Sequence, residues 1–183
     1  MRSELYPQVL GKGWLALAPS IRSAHSVGRE TSGVFHISHG TSWLARQLAR
    51  WSDLPPPSSS AETQLKIVSE APGERWERRF AAKFFTTRQW LGSDGLLVER
   101  VGEWELHFQL RVNDGSLFYD QTSARLCVGK WSMPMPLACA PRVSACEIQD
   151  GATRVRITVK VTLPLIGILI SYEGYLNVKE DSE

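Results

Sequence analysis

The sequence predicts an α+β fold: a curled or barrel-like, mostly antiparallel β-sheet of about eight strands, with two main helices in the N-terminal part. Three observations predict it. In residues 154–163, Val155, Ile157, Val159, Val161 and Leu163 alternate with Arg154, Arg156, Thr158, Lys160 and Thr162, and a period of two sends one set to each face of a strand. Short turn signals such as Asn113-Asp114-Gly115 and Asp150-Gly151 separate the later apolar runs, and short connections imply an antiparallel meander. Helical periodicity is confined to residues before 55. A meander of this length must curl or close, or it exposes a long edge.

The 183 residues read as a single domain, with a helical part over 1–54, a Pro/Ser linker over 55–61 and the sheet over 62–179. Residues 4–18 read as a helix with Leu5, Val9, Gly13 or Trp14, and Leu17 on one stripe; Gly11 and Gly13 weaken it and Pro19 ends it. A further helical turn spans Pro19–His25, and Val27–Ser32 reads as a polar loop. Gly33–Ser38 is a short strand with Val34, His36 and Ser38 on one face and Phe35 and Ile37 on the other. Thr41–Leu54 is the best helix: Thr41 or Ser42 caps it, Leu44, Leu48 and Trp51 form its expected buried stripe with Trp43 adjoining, and Arg46 and Arg50 lie outside.

In the sheet, Gln64–Ser69 leads to the turn Ala71-Pro72-Gly73. Glu74–Lys83 follows, with Trp76, Arg78, Phe80 and Ala82 on one face; Phe84–Trp90 continues it after a bend. Leu96–Arg100, Trp104–Val112 and Ser116–Leu126 are the next strands, and Trp104, Leu106, Phe108, Leu110 and Val112 face in while His107 faces water. The irregular stretch Gly129–Pro141 holds too many prolines for a central strand and reads as a lid or an edge cover. Arg142–Ile148 returns as a strand, and a long hairpin ends the sheet, its two arms of opposite parity; a bulged single strand is the alternative. Its tip, Pro164-Leu165-Ile166-Gly167, is apolar where tips are usually polar. Three placements are open for it: core under a helix, the mouth of a pocket, or a membrane or protein contact.

A net charge of +2 without a block of like charge argues against a nucleic-acid partner. Cys127, Cys139 and Cys146 form no C-x-x-C pair and read as small buried thiols in a reducing compartment. The N-terminal stretch does not resemble a signal peptide and the longest apolar run is too short to span a bilayer, so the expected location is the cytoplasm, without a transmembrane segment. Seven scattered tryptophans fit a core or a pocket. No phosphate loop, dinucleotide fingerprint, nucleophile elbow or zinc-helix motif is present, so no catalytic set, metal or cofactor is assigned. His36 and His39 lack a third ligand nearby.

Arg78 is the leading candidate site residue. A guanidinium between Trp76 and Phe80 can stack on a ring and hold a carboxylate or phosphate in an apolar pocket. The bland alternative is an Arg paired at the sheet edge. Tyr172 and Glu173 are second-rank candidates beside the apolar tip.

Several stretches together resemble a bacterial family known only as domain of unknown function 4166: Leu10-Gly11, Pro19, His25, Gly33-x-Phe35, Trp76-x-Arg78-x-Phe80, Pro141, Leu163-Pro164-Leu165-Ile166-Gly167 and Tyr172-x-Gly174. The resemblance covers nearly the whole chain and carries no active site. It implies a module that occurs alone or joined to a nucleotide-dependent oxidoreductase-like domain, which here would be a separate protein. The first functional reading is non-catalytic binding of a hydrophobic or lipid-like small molecule. The second is an interaction module docking on such an oxidoreductase or on itself. The third is an enzyme in which Arg78 works with His36, Tyr172 or Glu173.

Overall fold

The computed structural model describes residues 4–52 and 54–178. Its frame is eleven antiparallel strands: β1 (Glu30–His39), β2 (Ser58–Glu70), β3 (Gly73–Phe80), β4 (Lys83–Leu91), β5 (Leu97–Val101), β6 (Trp104–Asn113), β7 (Ser116–Val128), β8 (Trp131–Met135), β9 (Arg142–Gln149), β10 (Arg154–Leu163) and β11 (Gly167–Asn177). Neighbours pair in the order β6-β5-β4-β3-β2-β1-β11-β10-β9-β7-β8, and a further β6–β7 ladder closes ten of them into a barrel. The curled antiparallel sheet is as expected, but the count of about eight strands is corrected to ten in the barrel plus β8 outside it.

The differences in strand number and length have local causes. Ser58–Ala61 sits in the stretch read as linker, yet β2 begins at Ser58 and Ala61 pairs with Phe35. The expected bend after Phe80 is a hairpin: Ala81 takes φ 51° and its N–H donates to the Glu62 carbonyl at 2.6 Å. The polar loop ends early, because β1 starts at Glu30. β8 covers only the upper part of β7, through Ala124–Val128, while β9 pairs with the lower part, through Leu117–Asp120. The Gln121 side chain bridges the split, donating to the Pro141 carbonyl at 3.0 Å and accepting from the Val143 N–H at 2.7 Å.

The first and last strands, β1 and β11, pair side by side, with Phe35 opposite Gly174. A Cβ on Gly174 would fall 2.2 Å from the Val34 carbonyl oxygen and 2.6 Å from the Phe35 ring, so glycine lets the two backbones and the ring approach. The final hairpin forms as read, and a register shift at Val161/Thr162 accompanies the change of parity.

The helices take opposite ends. α1 (Leu5–Leu10), a 3₁₀ turn (Gly11–Ala16) and α2 (Pro19–Ala24) seal the lower end. The single helix expected over 4–18 is broken at Gly11, which takes φ 54°. Leu5, Tyr6, Leu17, Ile21 and Ala24 are buried there, and Ala18 N–H donates to the Gly115 carbonyl at 3.0 Å. α3 (Trp43–Trp51) joins β1 to β2 at the upper end, and Ser42 caps it by accepting from Ala45 N–H. Its buried residues are Ala45 and Ala49, whereas Trp43, Leu44 and Trp51 are exposed and Leu48 is half-buried. The expected stripe is therefore corrected: the small side chains let α3 lie close to the barrel. Cys127 is buried and Cys146 half-buried, but Cys139 is exposed, contrary to expectation.

Inward side chains are mostly apolar. The outward face carries Glu62, Gln64 and Lys66 on β2, Arg75, Glu77 and Arg79 on β3, and Arg154, Arg156 and Lys160 on β10. A membrane-spanning barrel needs an apolar outer band instead. No helix of the described residues is long and apolar enough to cross a membrane.

Candidate functional site: a cavity inside the barrel

A cavity of about 840 Å³ fills the upper part of the barrel. An eight-stranded barrel is about wide enough for its side chains to fill, and diameter grows with strand number, so ten strands leave room. Its walls are Phe35, Leu65, Leu106, Phe108, Ile157, Val159 and Ile170, each placed inward by the period of its strand. At the upper end Leu48 and Trp51 of α3, Phe84, Leu163 and Ile166 surround the opening.

One side of this apolar space is polar. Arg78 on β3 projects inward with its Cζ 4.9 Å from the centre of the Trp76 ring. Its Nη1 donates to Thr87 Oγ1 on β4 at 2.9 Å, and its Nη2 lies 3.7 Å from Glu99 Oε1 on β5. Both charged side chains are largely buried, at 14% and 16% exposure. The guanidinium is thus already matched by a carboxylate, which alters the expected role of a bare anion anchor. Tyr172 also faces inward, packed on Phe35 and Phe80 at ring distances of 6.0 and 5.6 Å. Burial pushes its hydroxyl up to about 12, against the opposing pull of Arg78.

Below lies a hydrogen-bonded floor that joins the N-terminal plug to the strands. Tyr6 of α1 donates to Gln89 Oε1 at 2.9 Å and its hydroxyl meets that of Tyr119 at 3.0 Å. Tyr119 donates to Glu147 Oε1 at 2.8 Å, and His25 Nε2 is 2.8 Å from Glu147 Oε2. Leu5 N–H donates to Glu74 Oε1 at 2.9 Å. Burial alone would raise the Glu147 carboxyl, but the charge and hydrogen bond of His25, with the Tyr119 hydroxyl, bring it below the ordinary carboxylate value. Glu74 is raised, chiefly by burial. Burial also raises Tyr6 and Tyr119 well above the ordinary phenol value, and Glu147 adds to this.

The site residues expected from the sequence separate into two groups. Trp76, Arg78, Phe80 and Tyr172 come together inside, with Phe80 wholly buried against Phe35 at 5.9 Å. Glu173 does not join them: next to inward Tyr172, it faces outward and pairs with Arg156 at 3.2 Å. His36 also faces outward, opposite Glu173 in the β1–β11 ladder. The enzyme constellation of Arg78 with His36 or Glu173 is therefore overturned by strand parity. His39 Nε2 lies 2.8 Å from the Pro55 carbonyl oxygen, tying the top of β1 to the connector before β2. His107 is not simply solvated: it is largely buried, 3.3 Å from Glu105 and 3.6 Å from Asp94.

The hairpin tip stands at the upper opening. Ile166 lines the cavity, Pro164 is half-buried, Gly167 is exposed, and Leu165 points fully outward with φ 66°.

Glu99, Gln89, Tyr119 and Glu147 were missed as site residues. The available signal was a polar residue at an inward position of an apolar face: Glu99 between Leu97 and Val101, and Glu147 after Val143 and Ala145. His25 stood in the sequence as the end of a helical turn and as part of the family resemblance, and nothing there pairs it with Glu147.

No curated protein matches the chain. The family model described as "Domain of unknown function (DUF4166)" matches residues 17–176, from just before α2 almost to the end of β11. The segment that holds the barrel and Arg78 is thus the family's own, and the chain belongs to the DUF4166 family.

Proposed function

We propose that the barrel holds an apolar small molecule whose one polar end is an uncharged hydrogen-bonding group. The observation that carries this reading is the cavity of about 840 Å³, with mostly apolar walls, polar groups on one side and at its floor, and an open upper end. That volume falls within the usual range for sites of small organic ligands. The charge balance of the polar side supports a neutral head. Arg78 and Glu99 offset each other, as do His25 and Glu147 when the histidine is protonated. An added carboxylate would bring an unmatched negative charge into a space shielded from water, which is unfavourable. An alcohol, amide or ketone would meet donors on Arg78 and the hydroxyl of Tyr172, and a donor on the ligand would meet Glu99.

No chemical step is assigned: Arg78 is engaged with Glu99 and Thr87, and Glu147 with His25 and Tyr119. Native mass spectrometry of purified protein, before and after extraction with organic solvent, tests the reading. It predicts an extractable apolar adduct, or uptake of a neutral environment-sensitive dye by the extracted protein. Neither adduct nor dye uptake would overturn it.

A further inference from the structure

The upper end of the barrel presents large apolar side chains to solvent around the opening. Ala45 and Ala49 turn toward the barrel with no exposure, and Trp43, Leu44 and Trp51 of α3 are left exposed. Trp51 is 81% exposed and also lines the cavity. The neighbouring tips at the same end add Phe84, Trp131 and, at 107% exposure, Leu165. A soluble surface scatters single apolar residues; here four separate elements together place six at one end of the barrel.

Charge accompanies them. The upper segments carry Arg46, Arg50, Lys83, Lys130 and Arg142 against Glu62 and Glu103 among the described residues. Arg46 and Arg50 form no ion pair among the described residues, and Glu103 lies 3.9 Å from Arg100. Tryptophan with arginine suits the boundary between headgroups and acyl chains: the ring partitions there and the guanidinium reaches anionic headgroups.

We infer that this rim docks on a lipid bilayer bearing anionic headgroups, with the barrel standing on its open end. The charged outer wall then stays in water. The choice of a bilayer over a protein rests on the charge surplus, on the continuity of the rim with the cavity through Leu48, Trp51, Phe84 and Ile166, and on the apolar ligand proposed above. A molecule soluble in the bilayer would pass between it and the barrel without crossing water.

The test is co-sedimentation with vesicles of phosphatidylcholine alone and of phosphatidylcholine with about a third phosphatidylglycerol. The wild-type protein is expected to sediment with the anionic vesicles. Trp43→Ser/Leu44→Ser/Leu165→Asp should weaken this at least about tenfold, since each exposed apolar side chain contributes to interfacial binding. Arg46→Gln/Arg50→Gln should weaken binding about thirtyfold on anionic vesicles and leave binding to phosphatidylcholine unchanged, from about a factor of five per charge. None of these five residues lines the barrel cavity, so uptake of the neutral dye should persist in both variants and reports that they are folded. Absence of wild-type sedimentation, equal binding to both vesicles, or rim variants that bind like wild type would each overturn the inference. So would rim variants that instead dissociate a dimer in analytical ultracentrifugation, which assigns the surface to a second copy. Dye uptake without vesicle binding removes the rim inference alone; vesicle binding without dye uptake removes the ligand reading alone.

Discussion

Glu99 Oε1 on β5 lies 3.7 Å from Arg78 Nη2 on β3, across the intervening strand β4, and the two charges meet inside the barrel. This relationship leaves the guanidinium matched, and the proposal of a neutral ligand rests on it. It also makes the two residues interdependent. Arg78→Gln should destabilise the protein by about 3 kcal/mol, because a largely buried Glu99 is left unpaired. Adding Glu99→Gln should recover most of that loss. Urea unfolding of both single variants and the double variant measures the coupling; losses that simply add would show no interaction between the two.

The Glu147 carboxylate ties β9 to His25, the C-cap residue of α2, and so holds the plug on the lower end. Its folded value lies below the ordinary carboxylate value, so the stability it contributes is present above that ordinary value and is lost as pH falls through the folded one. Glu147→Gln should therefore cost about 3 kcal/mol near neutral pH. The gap to wild type should narrow as pH drops below the ordinary carboxylate range. Glu74 works in the other direction, since its raised carboxyl favours the fold at low pH and that contribution fades as pH rises through the folded value. Comparing wild type with Glu147→Gln across pH by thermal melting separates the two. A gap independent of pH would contradict the assignment.

In the β1–β11 ladder, Gly174→Ala should lower stability by about 2 kcal/mol or more, because its Cβ would strike the Val34 carbonyl and the Phe35 ring. Neither the carbonyl nor the ring has an easy way to yield within a paired strand. Urea unfolding together with amide exchange on β1 and β11 checks this; exchange should accelerate first along that ladder.

Much of the sheet was legible because it depends on local patterns. The Asn113-Asp114-Gly115 turn, the alternation in Trp104–Val112 and in Arg154–Leu163, and the inward direction of Arg78 all follow from periods of two and turn chemistry. The losses lie where packing overrides local signals. Ala81-Ala82 turns the chain without glycine or asparagine, so β3 and β4 read as one bent strand. The large apolar residues of α3 suggest a buried stripe, but the close approach of helix to barrel selects Ala45 and Ala49. The contact of Arg78 with Glu99 spans separate hairpins, and no spacing in the sequence announces it. Glu173 stands apart from the cavity for a simple reason: it neighbours Tyr172 and so takes the other face.

If the cavity is the binding site, filling it should abolish binding without unfolding the barrel. Ala145 on β9 lines it. Ala145→Phe places a ring in open space, so stability should change by less than about 1 kcal/mol while affinity for a neutral dye falls by at least about tenfold. Fluorescence titration and thermal melting of the same sample check both halves. Undiminished dye affinity would place the dye elsewhere.

The most direct measurement is displacement of that neutral dye, at neutral pH, by a long-chain alcohol and by the carboxylate of the same chain length. A cavity whose Arg78 is already matched by Glu99 predicts that the alcohol displaces the dye at clearly lower concentration than the carboxylate. Preference for the carboxylate, or displacement by neither, would contradict the account.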